Sequence, residues 1–443
     1  MNLKNLFWLG FGLLFGFIVA SQNFVFADKK LTKTSKIPLK ELEAFSQIFY
    51  NIKKTYVDEV DNEKLINNAI SGMVSGLDPH SSYLLPEDFG ELKINTEGKF
   101  GGLGIEIGME DGFVKVISPI DDTPAAKAGV KSGDLIILLD KTSVKGMTLN
   151  DAVKIMRGKP GEPITLTIVR EGENQPKKIK IVRDIINIKS VRQRLLEPGF
   201  GYIRISQFQE QTYDNLKQSL EKLTKENSDK KINGLVLDLR NNPGGVLDGA
   251  IDVSDAFLEQ GLIVYTEGKT SKSKTKFKAA KGDLVNGAPI VVLINNGSAS
   301  ASEIVAGALQ DHKRAIILGS KTFGKGSVQT VLPMRNGAAL KITTALYYTP
   351  SGRSIQAKGI IPDIEVKPIK IESDENPSDI TTVLEKDLSG HLEIDDSVNG
   401  KQADKKPKSQ TDSKKNGNNL IKEDFVLHEA LNLLKGLHLL RKL

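Results

Sequence analysis

The segment Asn295-Asn296-Gly297-Ser298-Ala299-Ser300-Ala301-Ser302-Glu303 lies between an apolar run, Ile290 to Ile294, and a stretch with helical spacing from Ala301 to about Gln310. A serine at such a junction is exposed at the end of a buried strand. The free N–H groups of the helix's first turn point outward beside it, which is the layout an alcohol nucleophile with an oxyanion site requires. Ser300 and Glu303 also have the spacing of a capping box, in which the serine only satisfies the first helical turn. The local sequence leaves both readings open.

An alcohol nucleophile needs a base, and the candidate is Lys325, in Thr322-Phe323-Gly324-Lys325-Gly326-Ser327-Val328-Gln329. A lysine acts as a base only when neutral, so burial must draw its pKa well below the free value of about 10.4. Residues 325–331 alternate as a strand does, which predicts Lys325, Ser327 and Gln329 on one face and lets Gln329 steer the amine. A third segment, Asp238-Leu239-Arg240-Asn241-Asn242-Pro243-Gly244-Gly245, is a strand end followed by a glycine turn whose unobstructed N–H groups suit an oxyanion. It is also an ordinary strand-to-helix turn.

Other chemistries fit less well. Gly319 to Lys325 matches the start of a phosphate-binding loop, but Gly326 stands where that loop needs a Ser or Thr for magnesium, and a strand-like segment follows where it needs a helix. The chain has no cysteine, which excludes thiol nucleophiles and disulfides, and its five histidines lack metal-ligand spacing. No metal and no other cofactor is expected. His312 falls about 18 Å beyond Ser300 on the same predicted helix, too far for a hydrogen bond. His80, after a proline turn, reads as a loop or capping residue. The net charge of +6 gives no reason to expect nucleic-acid binding.

The elements that must position these residues fall into several regions, as 443 residues require. Residues 1–27 read as a secretory signal, an apolar stretch from Leu6 to Ala20 ending at Val25-Phe26-Ala27, with a retained membrane anchor as the rival reading. Residues 28–95 have helical periodicity, through Leu42, Phe45, Ile48, Phe49 and Ile52 and again from Leu65 to Val74. Residues 96–185 give short strands around glycine turns and one helix, Thr148 to Arg157. Residues 186–370 alternate strands and helices, which argues an α/β core with βαβ units. The six lysines of Lys269 to Lys281 read as a solvated loop or hairpin edge. Residues 371–424 read as a linker, disordered in its polar part, and 425–443 as an amphipathic helix with Leu427, Leu431, Leu434, Leu437 and Leu440 on one face. The fold class is multidomain α+β.

In order, G-L-D-P-H-S-S-Y at 76–83, the β-rich module, D-L-R-N-N-P-G-G at 238–245, S-A-S-A-S-E-I at 298–304 and F-G-K-G-S-V-Q at 323–329 resemble the C-terminal processing peptidases, or tail-specific proteases, across about residues 40–365. The resemblance implies a serine endopeptidase with Ser300 as nucleophile, Lys325 as base and Gln329 orienting it. It also implies an oxyanion hole from the N–H of Ala301 and of Gly244 or Gly245. The module then resembles a PDZ domain, which binds a free carboxylate in a glycine loop, here Gly101-Gly102-Leu103-Gly104, while the peptide adds to a strand edge. Leu103 and Ile105 can line the side-chain pocket. Arg157 resembles the arginine through which such modules signal occupancy, with an ordinary helix-end contact as the plainer role.

The partners implied are polypeptides with free C-termini, a lipoprotein adaptor, and further copies of the chain joined through the N- and C-terminal helices, without nucleic acid. The location implied is exported and periplasmic, at the inner membrane if the N-terminal segment is retained. An inactive PDZ scaffold is the alternative.

Overall fold

The structure, a computed structural model, describes residues 38–120, 122–173, 175–367, 384–392 and 424–441. The signal segment and most of the expected linker lie outside these residues. The chain divides after Ala69 into two compact units. In the first, α1 (Leu39–Thr55) has no buried residue and leaves Leu42, Phe45 and Ile48 exposed. The helix α2 (Asn62–Ser75) begins there and ends in the second unit, where Val74 is its buried residue.

Next come β1 (Ser82–Leu84) and α3 (Pro86–Glu97), whose proline at the first turn costs no hydrogen bond. The strand β2 (Lys99–Gly102) enters the β-rich module. The module continues with β3 (Ile105–Glu110), β4 (Phe113–Pro119), the short α4 (Pro124–Lys127), β5 (Leu135–Leu139), β6 (Thr142–Ser143), α5 (Leu149–Met156), β7 (Pro163–Val169), β8 (Lys177–Val182) and β9 (Asp184–Asn187). Its antiparallel sheet has the order β3-β4-β5-β7-β8, with β6 beside β5, and β2 pairs separately with β9. A capping box between Thr148 and Asp151 starts α5. Ala152 and Met156 of α5 then pack on Val116, Ile136, Leu139 and Ile168.

The remaining elements are β10 (Val191–Glu197), β11 (Phe200–Ile205), α6 (Thr212–Glu226), β12 (Gly234–Asp238), α7 (Leu247–Asp255), β13 (Gly261–Gly268), β14 (Thr275–Ala279), β15 (Ile290–Ile294), α8 (Ala301–Asp311), β16 (Ala315–Gly319), β17 (Ser327–Pro333), β18 (Ala339–Tyr348), β19 (Ile364–Glu365) and α9 (Phe425–Leu440). A six-stranded sheet runs β10-β11-β12-β15-β16-β19, parallel from β11 onward. Every residue of β12 and β15 is buried, so their apolar runs are continuous. Alternate side chains serve different layers. Leu235, Leu237, Ile290 and Val292 face α6, α7 and α8, whereas Val236, Val291 and Leu293 pack against Val426, Leu427, Leu431 and Leu434 of α9.

A second, antiparallel sheet has the order β1-β18-β13-β14, with β17 on β18. The lysine-rich segment supplies its terminal strand, β14. The β17–β18 hairpin, the pairing of β1 with β18, and the packing of residues 384–392 were not foreseen. That last segment lies within the stretch read as a linker, and its Glu385 is fully buried.

Candidate active site

Ser300 occupies the turn between β15 and α8 with φ 53° and ψ −110°, a strained conformation for a residue bearing a Cβ. Only half of the expected capping box forms. The Ser300 N–H donates to Glu303 Oε2 at 2.8 Å, but the Glu303 N–H donates to the Ser300 carbonyl at 2.9 Å, and no side-chain bond from Ser300 caps the helix. The Ser300 hydroxyl makes no hydrogen bond among the described residues and is partly exposed, as a nucleophile must be.

Glu303, fully buried, is the centre of the arrangement. Its Oε1 accepts the Thr322 hydroxyl at 2.5 Å and the Gly324 N–H at 2.8 Å, and its Oε2 accepts the Ser300 N–H and the Lys325 N–H at 2.8 and 2.9 Å. One carboxylate oxygen thus holds the backbones of both predicted dyad residues, which lie at most two hydrogen-bond lengths apart at their nitrogens. Burial pushes its pKa up to about 7, against the opposing pull of those four donors.

Lys325 is partly buried, and its ammonium makes no hydrogen bond or ion pair among the described residues. Burial first, and then the positive charge of Lys341 on β18, draw its pKa down, while Glu385, Glu303 and Asp78 pull the other way. Lys325 lies before β17, which starts at Ser327, so the expected strand 325–331 begins two residues late. The register shift at Val328/Gln329 leaves the extra residue, Thr344, in β18, so Ser327 and Gln329 share a face. The Gln329 amide donates to the hydroxyls of Ser327 and Thr343, at 2.9 and 3.3 Å, and makes no hydrogen bond to the Lys325 amine. The strand after Lys325 is what a phosphate-binding loop lacks.

The glycine turn closes on the same place. A Cβ on Gly244 would meet the Ser300 Cβ at 2.9 Å and the Ala301 nitrogen at 3.0 Å, and one on Gly245 would strike the Phe208 carbonyl at 1.8 Å. Both have positive φ, 101° and 146°, so glycine is required twice over. The Gly244 N–H donates to Asn242 Oδ1 at 2.9 Å, whereas those of Ala301 and Gly245 have no partner among the described residues. Arg240, just upstream, pairs with Asp238 and with Asp424, the N-cap of α9.

In the β-rich module, Phe100, Gly102, Leu103, Gly104, Ile105, Ile107, Val153, Met156 and Arg157 line a cavity of about 160 Å³. Gly101 is not among them, because it pairs with Ile185 in β9 and a Cβ there would lie 2.1 Å from the Gly158 carbonyl. Gly104 has φ 77°, and any Cβ would collide with Thr123. The N–H groups of Leu103 and Gly104 make no backbone hydrogen bond among the described residues, which leaves donors at the mouth of the cavity. Arg157 lies over the Phe100 ring, 5.1 Å from its centroid, and pairs with Glu91 of α3.

His312 donates to or accepts from neither dyad residue; its ring contacts the Leu262 carbonyl at 2.7 Å. His80 is in the 76–83 turn, with its ring on Glu385. Sequence reasoning missed the roles of Glu303 beyond a cap, of Gln356 and of Glu385. A glutamate in an otherwise polar segment carries no signal of burial, though Glu303 among small residues at a helix start did.

Residues 199–366 match peptidase family S41, residues 101–181 match the PDZ domain, and residues 17–87 match the N-terminal domain of the activating protease CtpB. The carboxy-terminal-processing protease of Bartonella bacilliformis is 48% identical over 95% of this chain and 94% of its own. The chain belongs to the carboxy-terminal-processing proteases. The protease is also 36% identical to a probable CtpA-like serine protease of Staphylococcus epidermidis, over 82% of this chain and 73% of that one. Among solved structures, the photosystem II D1 C-terminal processing protease is 30% identical with a TM-score of 0.43, covering 74% of this chain and 93% of that chain. The protease is therefore a serine peptidase that carries a PDZ domain.

Proposed function

We propose that this protease holds the free C-terminus of a polypeptide in its PDZ domain and cuts the tail with Ser300 as nucleophile and Lys325 as base. The neutral amine takes the Ser300 proton as the oxygen attacks the scissile carbonyl, and the ammonium returns it to the leaving amine. Water activated by the same amine then releases the acyl group. Ala301 and the 244–245 turn supply N–H groups to the oxyanion, with Gly245 offering the free donor and Gly244 requiring release from Asn242. Gln329 orients the amine after its side chain leaves Ser327 and Thr343. The observation that carries this reading is the shared Glu303 oxygen, which ties Ser300 to Lys325.

The 96–185 module presents the cavity and open N–H groups of the Leu103-Gly104 loop to the terminal carboxylate, with Gly102 and Arg157 beside it and Gly101 behind. The enzyme acts on envelope proteins after export, with substrates delivered by a lipoprotein adaptor and copies joined through the terminal helices. No helix among the described residues is long and apolar enough to cross a membrane. The test compares wild type with Ser300→Ala and Lys325→Ala on an unstructured protein whose C-terminus is free or amidated. Loss of cleavage in both variants, and slower cleavage of the amidated substrate by wild type, are expected. Unchanged cleavage by either variant contradicts the dyad, and indifference to amidation contradicts tail capture.

A further inference from the structure

Glu385 is the carboxylate that the mechanism above does not use, although it is fully buried beside the base. Both its oxygens lie on His80 Nε2, at 2.8 and 2.7 Å, and Oε1 also accepts the Gln356 amide at 2.9 Å. Its own N–H donates to the Phe323 carbonyl at 3.2 Å, and Gln356 Oε1 accepts the Gly326 N–H at 2.9 Å. Glu385 and Gln356 therefore grip the four-residue loop that carries Lys325 at both ends. His80 is brought from 305 positions away by a turn in which Asp78 accepts the His80 and Ser81 N–H groups and the Ser81 and Thr343 hydroxyls.

We propose that Glu385 and His80 are a paired positioning device for Lys325, Glu385 fixing the Phe323–Gly326 loop and His80 offsetting the carboxylate charge that would otherwise hold the amine protonated. This rests on Lys325 being the base. Lys325 faces one cation, Lys341, and the carboxylates Glu385, Glu303 and Asp78, and the first of these carboxylates is the one with a histidine against it. The Glu385 pKa is lowered: burial acts to raise it, and the hydrogen bonds from His80 and Gln356 and the charges of His80 and Lys325 more than reverse this. A carboxylate kept ionised beside a lysine favours the ammonium form, and the hydrogen bonds that Glu385 receives from the His80 ring and the Gln356 amide draw its charge away from the amine.

The two members of the pair must then act oppositely. Glu385→Gln removes the negative charge, so the acid limb of kcat/KM against pH moves toward lower pH, by about one unit. His80→Gln leaves the carboxylate uncompensated and moves the limb toward higher pH by a similar amount. Profiles are measured on the full-length enzyme with a tail-bearing unstructured substrate, and Glu385→Asp, which keeps the charge, is expected to restore the wild-type limb. Opposed shifts support the pairing. Lower kcat with an unmoved limb in both glutamine variants, or shifts of the same sign, overturns it. Retained activity in Lys325→Ala instead overturns the assignment of the base, so the two failures are distinguishable.

Discussion

At the scale of single residues, the site turns on carboxylates that the chemistry does not consume. Glu303 has four donors and no solvent, and each oxygen receives two of them. Glu303→Gln replaces one acceptor oxygen with an NH₂ that faces two of those donors, leaving buried N–H groups unmatched at about 1–3 kcal/mol each. We expect a loss of stability of about 2–4 kcal/mol by denaturant titration and a fall in kcat of at least about tenfold, since the strut between the dyad residues is gone. Wild-type stability in that variant would show that the carboxylate is not a strut. The proposed pair, Ser300 and Lys325, stands out in the sequence because serine, lysine and paired glycines fall in one order. Glu303 was legible only as a cap, because hydrogen bonds to residues about twenty positions away leave no periodic trace.

At the scale of elements, each proposed catalytic segment is a short loop hung from a rigid strand. The parallel strands β12 and β15 announce themselves by unbroken apolar runs, and the helix α5 by its capping box and apolar face, so these were readable. The β17–β18 hairpin was not. Residues 325–331 alternate as a strand does, but alternation does not name the partner strand, and the register shift opposite Val328 and Gln329 lies at Thr344 of β18. The PDZ cavity lies between β3 and α5, with Val153 of α5 at its wall. Val153→Asp sets a carboxylate against an incoming carboxylate. KM for free-tailed substrates is then expected to rise about tenfold, while kcat/KM for a short peptide that reaches only the cleavage site stays at the wild-type value. Equal effects on both substrates would place tail capture elsewhere.

At the scale of the whole molecule, α9 completes the outer layer of the six-stranded sheet. Without it Val236, Val291, Leu293 and Leu318 would face water. Its polar anchor is Asp424, whose carboxylate accepts two hydrogen bonds from Arg240 at 2.9 and 2.7 Å. Burial acts to raise the Asp424 pKa, but the Arg240 hydrogen bonds and charge hold it below the usual range. With a lowered folded value, the stabilisation is present above the unfolded pKa of about 3.9 and is lost as pH falls through the folded one. Amide exchange in α9, taken relative to the intrinsic rate at each pH, is therefore expected to be constant from neutrality to mildly acid pH and to quicken below about pH 4. In Asp424→Asn it should already be faster at neutral pH; equal protection in the two proteins would show that the ion pair does not hold the helix. The amphipathic pattern of α9 was plain in the sequence. Its seat was not, since a helix face does not say which sheet it covers.

The account stands on an amine and a hydroxyl acting together. The most direct measurement is covalent labelling by a serine-directed fluorophosphonate, read by the mass of the intact protein and of its peptides. One label, on Ser300 in wild type, that is lost in Lys325→Ala and grows as pH rises through the lowered lysine pKa is the predicted result. Equal labelling of Lys325→Ala, or a label on another serine, would contradict it.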